Sequence, residues 1–209
     1  MRSLVRAGIW IFGILGAICL LLYVFLFDTW IVPADDPMFT ASILPTLYPN
    51  DRILVQRGGA PGYGQLARCR SPENPSRYVV GRVFGLERDN VEIRDERVWV
   101  TGKVIGNRHG CPPVNVTHPA TGEPLTLSCS VEDNGAWTYA TLRVSENMEP
   151  SHGITTVEPE RLYLVSDNRH LHADSRDFGT VEAATCEHVV FRLWGDSYLD
   201  RTRRMTLLY

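Results

Sequence analysis

From Ala7 to Phe27 the chain reads AGIWIFGILGAICLLLYVFLF, 21 residues without a charge. At 1.5 Å rise per residue such a helix is about 30 Å long, the thickness of a hydrocarbon core, so the run predicts a transmembrane helix over 7–27. Trp10, Tyr23 and Trp30 lie toward its ends, where amphipathic rings favour the headgroup level. A cleavable signal peptide has an apolar region of only about 7–15 residues, so the segment reads as a retained anchor. Beyond it the apolar period changes to two. Alternation predicts strands at 52–57, 77–85, 90–105, 137–144, 161–167 and 188–194, all rich in Val, Tyr, Phe, Trp and Thr. Arg94-Asp95-Glu96-Arg97 marks a hairpin tip within 90–105. No stretch after Phe27 carries a sustained 3.6-residue pattern. The exported part is predicted to be mainly β.

Residues 106–135 break the alternation, being dense in Gly, Pro, Asn and Thr. They predict an inserted subdomain of loops and short strands between the two parts of a β core, 28–105 and 136–209. Asn115-Val116-Thr117 fits a glycosylation sequon, a tripeptide too common to weigh. The formal net charge of -3 gives no electrostatic support for a nucleic-acid partner. Basic residues precede the apolar run at Arg2 and Arg6, whereas Asp28, Asp35 and Asp36 follow it. The positive-inside rule then makes residues 1–6 a cytoplasmic N-terminus. The expectation is a single-pass protein of the inner cell membrane, with residues 28–209 outside.

That address permits disulfides. Cys19 falls in the span, leaving Cys69, Cys111, Cys129 and Cys186 and three possible pairings. Cys111 and Cys129 bracket the Pro/Gly-rich segment and are the favoured pair. Cys69 and Cys186 lie in or near apolar runs, where buried free thiols are the alternative.

Two stretches carry candidate chemistry. One is TASILPTLYPNDRILV, residues 40–55, in which Ser42 precedes a Pro-Thr-Leu and then an alternating strand. A reactive Ser needs a base, oxyanion donors and a rigid frame, so Ser42 alone proves nothing. The other is SDNRHLHADSRDFG, 166–179, which follows the apolar strand LYLV with charges of alternating sign. Such charges beside a buried strand predict a paired network.

With GRVFGLERDNVEI, residues 81–93, these stretches resemble the type I signal peptidases, membrane-anchored Ser/Lys endopeptidases that cleave signal peptides from exported proteins. SILPTLYPNDRILV is similar to the family's Ser-Met-x-Pro-Thr-Leu and Gly-Asp-x-Ile-Leu-Val box. GRVFGLERDNV is similar to Lys-Arg-Val-x-Gly-Leu-Pro-Gly-Asp-x-Val, and the third stretch to Gly-Asp-Asn-Arg-Asp-Asn-Ser-x-Asp-Ser-Arg-x-x-Gly. The resemblance implies a mostly antiparallel β-sheet domain with a smaller β/loop extension. It places Ser42 on the nucleophile and Thr40 on a hydroxyl that helps the Ser42 N–H bind the oxyanion. Arg82, Asp167, Asp174 and Arg176 fall on residues that brace the site. It also implies signal peptides of exported preproteins as partners, bound as an added strand, beside the lipid bilayer. No cofactor and no metal is expected.

The departures concern the base. The family's Lys directly before the box's Arg is Gly81 here, and the His that eukaryotic relatives use there is absent too. Lys103, the sole lysine against twenty arginines, does not align with that position. GLERD replaces Gly-Leu-Pro-Gly-Asp, and Ser166 replaces the Gly that opens the third box. About six more residues precede the nucleophile than the family has; another register would put Asp36 there, but the spacing from Ser42 to Pro45-Thr46-Leu47 and Asp51 is unbroken. His172 sits where the family has a Ser beside the catalytic Lys. With space at Gly81 it is the candidate replacement base, Asp174 orienting it. His170-x-His172 also offers a metal-binding pair, but no further ligand is spaced nearby. Two readings follow: a serine endopeptidase using Ser42, His172 and Thr40, or a non-cleaving paralogue that binds signal peptides or an active signal peptidase.

Overall fold

In the computed structural model residues 2–144 and 151–208 are described, and side chains from Ile9 onward. Helix α1 (Arg2–Leu26) contains the segment Ile9–Leu26, which is long and apolar enough to cross a membrane and is not buried against the rest of the chain. The Arg2 and Arg6 side chains, on which the expected orientation rests, lie outside the described side chains. Phe27, assigned to the span from sequence, already belongs to strand β1 (Phe27–Ile31) and pairs with Gln56. At that junction Arg57 N–H donates to Leu26 O at 2.7 Å, and Asp28 pairs with Arg57 and Arg68 at 3.3 Å each.

After β1 come a short helix α2 (Pro37–Ser42) and strands β2 (Arg52–Gln56), β3 (Leu66–Arg70) and β4 (Tyr78–Gly85). The hairpin β5 (Asn90–Arg94) and β6 (Arg97–Val100) follows, then β7 (Lys103–Val104), β8 (Gly106–Thr117), β9 (Pro124–Asp133) and β10 (Thr138–Arg143). Next are β11 (His152–Thr156) and β12 (Arg161–Val165), the one-turn helix α3 (Ser175–Phe178), β13 (Val181–Glu182), β14 (Cys186–Trp194) and β15 (Thr206–Leu207). The largest sheet runs β1-β2-β14-β3-β4-β12-β13, with β15 added on β14. A second sheet runs β11-β5-β6-β7 and a third β10-β9-β8. The named strands pair antiparallel throughout. The fold is mainly β behind one apolar helix.

Residues 106–135 differ from the expected loops and short strands. They form a long hairpin, β8 and β9, which recruits β10 into a separate sheet. Pro112 and Pro113 hide β8 from the sequence pattern. They lie on an edge strand, where a missing N–H breaks no ladder, and the register shifts between Cys111 and Val114 to accommodate them. Cys111 and Cys129 sit directly opposite one another and are bridged. Cys69 and Cys186, opposite across β3 and β14, are bridged rather than free.

Charge is buried as ion pairs. Arg82 on β4 and Asp167 just after β12 are both fully buried, with Nε and Nη2 donating to the carboxylate at 3.0 and 2.8 Å. Asp174 takes Arg176 Nε and Nη2 at 2.9 and 2.8 Å and the Ser166 N–H at 2.7 Å. Glu132 on β9 binds Arg169 at 2.6 Å and also Arg143, which fastens the third sheet to the segment after β12.

Removing one partner of a buried pair leaves an uncompensated charge, at a cost of about 3–5 kcal/mol. Asp167→Asn is therefore expected to lower the denaturant midpoint of the detergent-solubilised chain more than the double replacement Arg82→Met with Asp167→Leu does. Burial alone pushes the Asp174 carboxyl up, but the Arg176 charge and hydrogen bonds hold it well below the ordinary carboxylate range. Its folded pKa thus lies under the unfolded one, so its contribution is complete above about pH 4. It is lost as pH falls through the folded value. Thermal melts between pH 7 and pH 2 should show that loss in the wild type and a shallower acid slope, from a lower starting point, in Asp174→Asn. Non-reducing peptide mapping should recover Cys69–Cys186 and Cys111–Cys129, with Cys19 alone open to alkylation.

Candidate active site

Helix α2 sets the position of Ser42. Asp36 caps it, accepting from the Met38 and Phe39 N–H groups at 3.1 and 3.0 Å, and Pro37 occupies its first turn. That cap, with an ion pair to Arg77 at 3.2 Å, explains Asp36 without a catalytic role. Phe39 and Ile43, one turn apart, sink into the cluster formed by Ile53, Val55, Val80 and Val189. Ala41 packs the other way, against Leu127, Leu142 and Leu171. Pinned between two clusters, Ser42 is wholly buried.

The segment after β12 holds α2 from the other side. Asn168 donates its backbone N–H to Ser42 O at 3.1 Å and its Nδ2 to Ala41 O at 2.9 Å. Its Oδ1 accepts from the Leu171 N–H at 3.0 Å. Asn168 is thus the residue that ties the serine's backbone to the third motif. In sequence it is one amide inside the charged third motif, and only its complete burial in the structure sets it apart. Thr46 adds a further tie, its hydroxyl donating to Asp167 Oδ2 at 2.5 Å.

Both hydroxyls turn back onto their own helix. Ser42 Oγ donates to Phe39 O at 2.8 Å, and Thr40 Oγ1 donates to Pro37 O at 3.0 Å, both three residues back along their own helix. Among the described residues Ser42 Oγ makes no hydrogen bond to His172. His172 Nδ1 lies 2.8 Å from Asp177 Oδ2. Asp177, not Asp174, is the carboxylate that orients this ring. Burial opposes the imidazolium, but the Asp177 hydrogen bond and the negative charges of Asp174 and Asp177 outweigh both burial and Arg176 and raise the His172 pKa above the ordinary value. A raised pKa keeps the ring protonated more of the time near neutral pH, which weakens it as a base.

Gly81 does not open the space that a replacement base was expected to use. A Cβ there would meet Leu164 Cβ at 3.1 Å and Val165 O at 3.4 Å, so β12 already closes that side of β4. Lys103 is exposed on the short strand β7, in a different sheet. The four bracing candidates fall into two buried pairs, Arg82 with Asp167 and Arg176 with Asp174. His170 and His172 are held by different carboxylates, His170 by Glu96 at 3.0 Å, so they share no ligand position. Beside α2 lies a cleft of about 340 Å³ with Met38, Phe39, Val79 and Phe178 on its apolar side and Asp36, Glu73 and Arg77 on its charged side.

Comparison with known proteins agrees with the motifs. No curated protein sequence matches the chain. A crystal structure of a signal peptidase I from Enterococcus faecalis V583 is similar at 22% identity and a TM-score of 0.35, over 62% of this chain and 96% of that one. The family model described as signal peptidase, peptidase S26, matches residues 5–194. With nearly the whole chain covered, from the apolar helix through β14, the protein belongs to the signal peptidase family, peptidase S26.

Proposed function

We propose that this chain is a membrane-anchored signal peptidase relative that holds signal peptides of exported proteins without cutting them. The observation that carries this reading is the state of Ser42. It is fully buried, its hydroxyl is bonded to Phe39 O, and the family's base position is a glycine backed by Leu164. A serine hydroxyl becomes a useful nucleophile only when a group takes its proton. The nearest substitute named by the sequence, His172, is engaged with Asp177 and holds its proton more firmly than a free imidazole.

The binding frame is retained. Asn168 ties α2 to the third motif, the Arg82–Asp167 pair ties that motif to β4, and an open cleft with both apolar and charged walls lies beside Met38 and Val79. The anchor places this frame at the bilayer, with residues 28–209 on the outer face of the inner membrane. An active signal peptidase is the natural partner, since a non-cleaving copy changes processing only by sharing or withholding substrate. The second reading keeps Ser42, His172 and Thr40 as a working endopeptidase. Membership of the family favours it. It needs α2 to turn Ser42 Oγ away from Phe39 O.

Preprotein processing by the purified full-length chain in detergent separates the two. The expected result is cleavage no faster than with Ser42→Ala, while the wild type still binds a signal peptide in a pull-down or fluorescence titration. The missing base accounts for the loss, since general-base catalysis contributes about 10²–10⁴-fold. Cleavage abolished by Ser42→Ala would overturn the non-cutting reading. If His172→Ala then abolished it as well, the Ser–His pair would be the working dyad.

A further inference from the structure

The turn joining β5 to β6 has only two residues, Asp95 and Glu96, between the paired Arg94 and Arg97. Both stand at positive φ, 49° and 57°. Hairpins usually give such a tip to Asn-Gly or Asp-Gly, because a Cβ in the left-handed region crowds the following carbonyl. Glycine at position 96 would relieve that crowding, so the turn itself does not call for a glutamate. Nor does solvent hold it there: Glu96 is 1% exposed, at a place in a fold that is ordinarily wet.

The conformation aims the carboxylate at another part of the molecule. Glu96 Oε2 accepts the Val144 N–H at 3.2 Å, and Oε1 lies 3.0 Å from His170 Nδ1. Val144 directly follows β10, and His170 belongs to the third motif. These two segments run side by side. Leu142 N–H donates to Asp167 O at 2.9 Å and Arg169 N–H to Leu142 O at 2.7 Å, a parallel pairing of Leu142 with Asn168. Glu96 clamps the two segments just beyond that pairing. Asn168 in turn accepts the His170 N–H at 3.3 Å and holds the Ser42 and Ala41 carbonyls.

We propose that Glu96 is a positioning residue. Acting through Val144 and His170, it fixes the end of β10 against the third motif, and through Asn168 the set of the Ser42 helix beside which a signal peptide is held. Strained backbone persists where its surroundings over-determine it, and it gathers at functional sites. Here the strain is offset by hydrogen bonds to a carboxylate, which are the stronger kind. The inference deepens the signal-peptide reading and rests on it for its ligand.

Glu96→Gly in the full-length chain in detergent is the discriminating variant, since it makes the turn Asp-Gly and removes the carboxylate together. In hydrogen exchange the hairpin amides should keep their protection, while Val144, Asn168 and Arg169 exchange about tenfold faster or more. Signal-peptide affinity in a fluorescence titration should fall by about tenfold. Glu96→Gln keeps an acceptor for Val144 and offers a donor to a neutral His170 ring, so it should restore most of that affinity. His170→Ala combined with Glu96→Gly should cost less than the two losses added, as expected of residues acting through one contact. Unchanged exchange at Asn168 and Arg169 would overturn the proposal. Faster exchange with unchanged affinity would overturn it too, making Glu96 a contact of the fold alone. A wild type that binds no signal peptide would strike the binding reading instead, and the exchange at Asn168 and Arg169 would still decide whether Glu96 sets the Ser42 helix.

Discussion

Arg82 and Asp167 carry full charges with no exposure to solvent, and each is stable there only because the other is present. Their pairing fixes much else. Arg82 belongs to β4 and also donates to Gly64 O at 2.8 Å, which holds the β2–β3 connection. Asp167 follows β12 and accepts from Thr46, which holds the chain just after α2. The guanidinium lies 3.8 Å from the Tyr139 ring centroid on β10, so the third sheet meets the same point. One ion pair thus registers the large sheet, the α2 segment and the β8–β10 sheet against each other. Asp51, with Arg192 and Arg203, repeats the device at the other end of the serine-bearing segment.

The parts of this fold written in local alternation were legible. β2, β4, β5, β6, β10, β12 and β14 all coincide with runs of alternating apolar residues. What escaped were elements whose stability is tertiary. β3, LARCR, buries four successive residues between two neighbours, including Arg68 beneath the Trp30 and Tyr78 rings, so no polar face marks it. β8 looks like a loop because its two prolines and its glycines are tolerated at an edge, and only pairing with β9 makes it a strand. Helix α2 has six residues, too few to show a period, and exists because Asp36 caps it and Phe39 and Ile43 find a core. The site divides the same way. Ser42, Gly81 and the four bracing residues can be named from motif order, whereas the direction of the Ser42 hydroxyl and the Asp177–His172 bond are matters of packing that no motif encodes.

Much of the charge in the motifs of this chain is spent on buried structure. Arg82, Asp167, Asp174, Arg176 and Asn168 are buried or nearly so, each bonded to another element. Changing any one of them strands a charge or an amide in the interior, at a cost comparable to a large fraction of a domain's stability. Position 81 is different. Its Gly carries no side chain and its place beside Leu164 is filled by β12, so the fold does not depend on a lysine there. A side chain at position 81 is no part of the buried framework, whereas the ion pairs are. Motif order in this chain therefore testifies to the frame more than to the chemistry. The chemistry has to be judged at Ser42 itself, where the hydroxyl is turned into its own helix.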